Sequence, residues 1–414
     1  MRYPRYRAQI FESAFIAYAT FYLVRNNFAP VSKEIGAALH YDKVMIGNIL
    51  AGTAVAYGTG KLVLGYLADR CDSRKYLALG MLLTAGLNFL FGATTKYWGH
   101  LLLWTLNGFV QGMGYGPCAR GLAHWYSVKE RGMIFGVWNT SHCIGGGIAG
   151  YLAAACAQHW GWPSAFYMPG ALAVLCAIYL LWRVRDTPQS EGLPPIEEYK
   201  NDWPREIKDN REQDLGFREM FLRHILPNKM LWVLALANIF VYIARYAMVD
   251  WGPTYLKEVK GASLAGGGFS TLLIEFSGAA GMLTMGWLSD RIGGRRARLS
   301  ALAMLPLVPA FLGLIISNSL GLNLTLFAVI GFFVYTPVTF SGVVALDLTS
   351  KKAAATAAGF VGFFGYVGGR VIQGIGLGWL AQHYGWNAGL YAVIACTLLG
   401  AVLLGFLWNV RPRG

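Results

Sequence analysis

Two arginines stand where charge is costly. Arg25, in YLVRNNF, and Arg245, in YIARYAM, each interrupt an apolar stretch long enough to cross a bilayer. An arginine at mid-membrane costs about 2.5 to 3.5 kcal/mol on insertion scales, and such residues line a pathway or meet a partner. Guanidinium presents a planar fork that matches phosphate oxygens bidentately and keeps its charge at any physiological pH. Two such forks at one level would attract an anion and hold a phosphate from both sides. The competing reading, in which each arginine is neutralised by a structural acid, has candidates in Asp250 and Glu275.

Helical spacing gives these cations neighbours. Tyr18, Tyr22 and Arg25 fall at i, i+4 and i+7, and Tyr57 with Lys61, Asn139 with His142, Tyr242 with Arg245, and Tyr366 with Arg370 also share helix faces. A tyrosine beside an arginine can donate to a phosphate oxygen or stack on a carbon skeleton. Taken singly each is an ordinary packing residue; bordering buried cations, the set favours a polar cavity. Lys61, in YGTGKLVLG, is a third membrane cation. His142, in WNTSHCIGGG, titrates near pH 6.5 when unperturbed, close to the second ionisation of phosphate esters. No nucleophile with a base, no metal-ligand spacing and no GxxxxGK[ST] loop occurs, so an enzyme and an ATP-driven pump are both disfavoured, and no cofactor is expected.

The elements that must position these residues follow from composition. Of 414 residues, 55% are hydrophobic and 14% charged, well below the roughly 25% charged content of soluble domains. Mean hydropathy is +0.43. Apolar runs of bilayer length recur throughout. Boundaries of charge, Gly/Pro and Asn/Asp mark twelve spans, at 9–35, 43–68, 76–94, 100–124, 133–158, 163–184, 229–256, 264–289, 298–317, 321–346, 353–382 and 387–408. A polar, proline-bearing stretch at 185–228 links a first half (1–184) to a second (229–414). The net charge of +14 is topological, because the basic residues collect in alternate loops. One side takes Arg2, Arg5, Arg7, Arg70, Arg74, Lys75, Lys129, Arg131, the central stretch, Arg291, Arg295, Arg296, Arg298, Lys351, Lys352, Arg411 and Arg413. The other holds Lys33, Lys43, Lys96, Lys257 and Lys260. The positive-inside rule therefore predicts two cytoplasmic termini, and a nucleic-acid partner is not expected. No cleaved leader is read at the start, and the six cysteines read as helix-packing residues.

The halves are a repeat. Residues 65–75 read GYLADRCDSRK and residues 286–296 read GWLSDRIGGRR, an offset of 221 at equivalent places after the second span of each half. Arg25 and Arg245 are 220 apart, so pseudo-symmetry predicts that they face each other between the halves. The paired loops resemble the signature that follows the second helix in the major facilitator superfamily. That resemblance implies an all-α membrane protein of twelve transmembrane helices in two pseudo-symmetric six-helix halves. It also implies that Asp69 and Arg70, with Asp290 and Arg291, latch the cytoplasmic ends and act in gating.

Longer blocks carry a closer resemblance: YLVRNNFA (22–29), QGMGYGPCAR (111–120), KERGMIFGVWNTSHCIGGGI (129–148), DTPQSEGLPPIEEYKND (186–202), LPNKMLW (226–232), WGPTYLKEVK (251–260) and KKAAATAAGFVGFFGYVGG (351–369). They are similar to the organophosphate:phosphate antiporters, with the DTPQS and PTYLKEVK blocks most like the glycerol-phosphate branch. The resemblance implies alternating-access exchange of external glycerol-3-phosphate for internal inorganic phosphate in a bacterial inner membrane, by a monomer in a lipid bilayer. It places Arg25, Arg245 and His142 on the substrate, with Lys61, Tyr18, Tyr22, Tyr57, Asn139, Tyr242, Glu275, Tyr335 and Tyr366 around the cavity. Two positions depart from the glycerol-phosphate pattern: Asn26 replaces a lysine after Arg25, so a pairing with Asp250 does not carry over, and Arg370 replaces a small residue. Arg370 is expected either to neutralise Glu275 or to select a more anionic ester, such as a phosphoglycerate. Hexose-phosphate or phosphoglycerate exchange, and a sensor that binds organophosphate without transport, are the competing functions.

Overall fold

In a computed structural model, which describes residues 2–68, 70–201, 221–349 and 354–410, helix α1 (Arg2–Leu23) stops short of Val24 and Arg25 lies in the turn that follows. Pro30 has no N–H to donate and disfavours helix at the residue before it. The chain resumes as a short 3₁₀ turn, Ala29–Val31, and then α2 (Ser32–Leu39), closed by His40 with φ of 57°. The expected single span at 9–35 is therefore two helices with a break at its arginine.

Every described element is helical, and no strand occurs among the described residues. In chain order follow α3 (Lys43–Ala68), α4 (Ser73–Ala93), α5 (Tyr97–Val110), α6 (Tyr115–Trp125), α7 (Val128–Asn139), α8 (Ser141–Trp160), α9 (Ser164–Arg183) and the short α10 (Ile196–Lys200). After the linker come α11 (Lys229–Val259), α12 (Leu264–Arg291), α13 (Arg296–Met304), α14 (Leu307–Ile316), α15 (Leu320–Asp347), α16 (Ala354–Phe363), a π-helical stretch Phe364–Arg370, α17 (Val371–His383) and α18 (Gly385–Gly405). Eight stretches among the described residues are long and apolar enough to cross a bilayer unaided. Of the other four apolar segments, the fourth is interrupted by the 3₁₀ turn Gln111–Met113 and the fifth at Thr140, while the first breaks as described.

The chain divides into two compact units, Met1–Tyr41 with Gly52–Ile207, and Asp42–Ala51 with Lys208–Gly414. Each repeats the same helix crossings. In the first, a Cβ at Gly60 of α3 would run into the Phe109 carbonyl of α5, and one at Gly108 would come within 2.5 Å of the Thr53 carbonyl. In the second, Gly281 of α12 stands against the Phe332 carbonyl of α15, and Gly331 against the Ile274 carbonyl. Gly60 and Gly281 are 221 apart, as are Thr53 and Ile274, so the sequence repeat is a repeat of backbone-on-backbone contacts that only glycine permits.

The basic loops are locally capped. Asp72 accepts from the backbone N–H of Arg74 at 2.8 Å and of Lys75 at 3.4 Å, starting α4. Ser127 and Glu130 form a capping box on α7. The early linker folds onto the first unit: Tyr199 stacks on Tyr3 at 4.0 Å, and the Tyr3 hydroxyl donates to the Pro194 carbonyl at 3.1 Å. Of the six cysteines, Cys118, Cys143, Cys156 and Cys176 are buried, and all six are free thiols.

Candidate functional site

The helix break after α1 frees carbonyls, and a buried polar network takes them up. The Val24 carbonyl accepts from the Asn88 amide of α4 and from the Asn107 amide of α5, each at 3.1 Å. Asn27 donates to Asn88 and to the Ala165 carbonyl, each at 2.9 Å, and Gln111 donates to Thr84, which in turn donates to Asn107. Buried amides without partners cost about 1 to 3 kcal/mol each, so this network fixes the turn that carries Arg25. Sequence reasoning passed over it; the available signal was amide side chains within apolar spans.

Arg25 is 4% exposed. Its guanidinium lies 3.8 Å from the Tyr22 ring centroid and 4.6 Å from that of Tyr57. Tyr22 in turn is 5.1 Å from the His142 ring, with Tyr18 behind it at 5.3 Å. His142 opens α8 immediately past the break at Thr140, and its Nδ1 contacts the Asn139 carbonyl. A carbonyl only accepts, so Nδ1 carries the proton there and Nε2 is the site of any further protonation. Asn139 thus acts on the histidine through its backbone, and its side chain is half-buried. Lys61 is exposed, with its ammonium 4.8 Å from the Tyr115 ring.

The second unit builds its arginine differently. Arg245, also 4% exposed, sits inside the continuous α11. Asn27 and Asn107 correspond by the repeat offsets to Ala247 and Ile330, because an unbroken helix satisfies its own carbonyls. Arg245 donates to the Tyr335 hydroxyl at 2.8 Å, and that hydroxyl donates to the Glu275 carboxylate. The Tyr335 ring lies 4.3 Å from the guanidinium and the Tyr246 ring 5.0 Å. The ring covering Arg25 belongs to α3, whereas the ring covering Arg245 belongs to α15, the counterpart of the α5–α6 span. Tyr57 aligns with Gly278, against whose backbone Tyr335 packs, and Tyr335 aligns with Gly112. Tyrosine and glycine have exchanged places between the halves, yet each arginine keeps two aromatic faces.

Arg370 forms an ion pair with Asp250: Nε and Nη2 donate to the two carboxylate oxygens at 3.1 and 3.0 Å. Both side chains are 4% exposed. The Tyr246 ring, 4.2 Å from the Arg370 guanidinium, lies next to both buried arginines, Arg245 and Arg370, described in this unit. Sequence reasoning missed Tyr246, although it adjoins Arg245. Tyr366 and Arg370 sit in the π-helical stretch, where Gly365 and Gly369 let the backbone close onto Asn238, Ile239 and Tyr242 of α11. Tyr242 meets Tyr366 at 5.0 Å, ring edge to ring face.

Of the residues expected to act in gating, Asp69 lies outside the described residues, and Asp290 is described only as part of α12. Arg70 is exposed in the turn after α3; Arg291 ends α12 with its guanidinium 3.9 Å from the Trp287 ring.

Residues 14–373 match the model of the Major Facilitator Superfamily. A glycerol-3-phosphate transporter of Bacillus subtilis (strain 168) is 41% identical, covering 99% of this chain and 94% of that protein. A probable hexose phosphate transport protein of Chlamydia pneumoniae is 38% identical, covering 100% of this chain and 93% of that protein. A crystal structure of a bacterial homologue of the human lysosomal transporter Spinster, inward-facing and occupied, superposes with a TM-score of 0.79 at 15% identity, over 98% of this chain and 97% of that one. With a family model along most of its length and relatives along nearly all of it, the chain belongs to the Major Facilitator Superfamily.

Proposed function

We propose that the chain exchanges external glycerol-3-phosphate for internal inorganic phosphate by alternating access, as a monomer in a bacterial inner membrane with both termini in the cytoplasm. Arg25 and Arg245 supply the phosphate-binding cations, His142 and Lys61 assist, and the tyrosines orient the carbon body. The observation that carries this reading is a buried arginine at the same repeat position in each unit, each with two tyrosine ring centroids within 5.0 Å of its guanidinium. The names of the two relatives, a glycerol-3-phosphate and a hexose phosphate transporter, support a phosphate ester as substrate.

The Arg370–Asp250 pair bears on which ester. Its cationic charge is met by a carboxylate of the same unit, so it adds little net charge toward a substrate, and an ester with an uncharged polyol body fits better than a phosphoglycerate. Glycerol-3-phosphate precedes hexose phosphate on the DTPQS and PTYLKEVK blocks and on the higher identity. Exchange follows from the charges: an anion relieves the repulsion between two arginines that would otherwise resist the change of access.

The test is counterflow. Phosphate-loaded proteoliposomes are offered labelled glycerol-3-phosphate, glucose-6-phosphate and 3-phosphoglycerate, and the expected order of uptake is the order given. Uptake without internal phosphate would remove the exchange step, and uptake of none would leave a sensor. Arg25→Lys and Arg245→Lys are each expected to weaken binding on the order of 10- to 100-fold, since a point charge cannot replace a bidentate fork; unchanged affinity in either removes that arginine from the site.

A further inference from the structure

The ends of the two halves repeat as well. Residues 181–185 read LWRVR and residues 407–411 read LWNVR, each closing the sixth span of its half on the side where positive charge collects. Each run borders a basic cavity. In the first unit Trp182, Arg183 and Arg185 join Arg5, Tyr6 and Gln9 around a cavity of about 280 Å³. In the second, Trp408, Asn409 and Val410 join Arg295 and Arg298 around one of about 150 Å³.

Charge and polar atoms in both point to an anion. Arg183 pairs with Glu12 and Arg185 with Glu191, each at 3.2 Å, which leaves Arg5 with no acid within 4 Å among the described residues. Arg295 and Arg298 likewise have no acidic partner among the described residues, and the Arg298 guanidinium lies 4.5 Å over the Trp408 ring. The Nε atoms of Arg183 and Arg298 are buried and make no hydrogen bond. Buried guanidinium donors without an acceptor are unfavourable, and a phosphate oxygen is the acceptor they match.

The helices leading into the cavities say where that phosphate comes from. On α9, Leu175, Ile178 and Trp182 are exposed at i, i+3 and i+7; Leu399 and Val402 of α18 and Phe406, which caps it, repeat the spacing and the exposure. An exposed apolar stripe that ends at an arginine cavity with a tryptophan suits acyl chains below and a charged headgroup above. We propose that each half carries a cytoplasmic-leaflet site for the phosphate headgroup of an anionic phospholipid, built by the Trp-containing end of its sixth span and the neighbouring arginines. Such a pair of sites anchors each half to the same leaflet independently of the transported substrate.

Native mass spectrometry of the full chain, released from micelles holding equal phosphatidylglycerol and phosphatidylcholine, reads the sites directly. The expected result is retention of up to two phosphatidylglycerol molecules with roughly tenfold preference over phosphatidylcholine. Arg295→Gln/Arg298→Gln should lose one and Arg5→Gln/Arg185→Gln the other, with glycerol-3-phosphate binding unchanged. For the unsubstituted protein, rising ammonium acetate should strip phosphatidylglycerol and leave phosphatidylcholine retention as it was. Equal retention of the two lipids, or retention indifferent to both salt and the substitutions, overturns the proposal; displacement by millimolar inorganic phosphate overturns the assignment to lipid.

Discussion

Arg370 shows how one side chain reads differently once its partner is seen. As a third cation beside Tyr366 it suggested a more anionic substrate, but its bidentate pair with Asp250 ties it to α11. A buried pair is weak evidence of net stability, while removing one partner leaves an uncompensated charge and costs about 3 to 5 kcal/mol. Asp250→Asn is therefore expected to lower the thermal midpoint in detergent markedly, and Asp250→Asn/Arg370→Gln to recover most of the loss. If the double variant is no better than the single, the pair is not the reason both charges are tolerated. The tyrosines beside the arginines were partly legible. Tyr22 stacks on Arg25 as its spacing suggests, whereas Tyr57, Tyr246 and Tyr335 reach their cations by routes that spacing along one helix does not reveal.

Among the elements, the two arginine-bearing spans differ in kind. α1 breaks after Leu23, and amides from α4 and α5 replace the lost helical bonds; α11 runs unbroken for 31 residues. The glycine crossings, by contrast, are the same in both halves. At Gly281 any Cβ meets the Phe332 carbonyl, while Gly286, on the same helix, faces open space. Gly281→Ala is expected to cost about 1 to 3 kcal/mol by overpacking, and Gly286→Ala to be neutral or slightly stabilising, in parallel thermal melts; equal behaviour would remove the crossing as a constraint. At the start of α7, before the apolar stretch 133–158, burial alone would raise the Glu130 carboxyl. Hydrogen bonds from Arg7 and Lys200 outweigh it and hold the group below the ordinary value of 4.5. A lowered folded pKa means stabilisation that is complete above pH 4.5 and lost as the pH falls through the folded value. Melts between pH 7 and pH 3 should show an acid-side loss that is smaller in Glu130→Gln.

For the whole molecule, the charge bias assigns 185–228, Arg70 and Arg291 to one side of the membrane and Lys96 to the other. Single cysteines placed at Ser190 and Lys96 in a background lacking the native six should label from opposite faces of right-side-out vesicles with a membrane-impermeant maleimide. Labelling of Ser190→Cys from outside would invert the topology. Family membership makes the chain a transporter rather than an enzyme, consistent with the lack of any nucleophile and base or metal-ligand spacing in the sequence.

By itself the sequence determined most of the spans, the repeat, the family and two of the buried cations, Arg25 and Arg245. Each of these depends on hydrophobic length, charge asymmetry or offset, quantities that are local or additive along a chain. Tertiary structure decided where α1 breaks, which helix lends each arginine its second ring, and that Arg370 answers to Asp250. Those outcomes depend on side chains up to 120 residues apart meeting in a low-dielectric interior, where a charge or a freed carbonyl must take whichever partner the packing brings within reach.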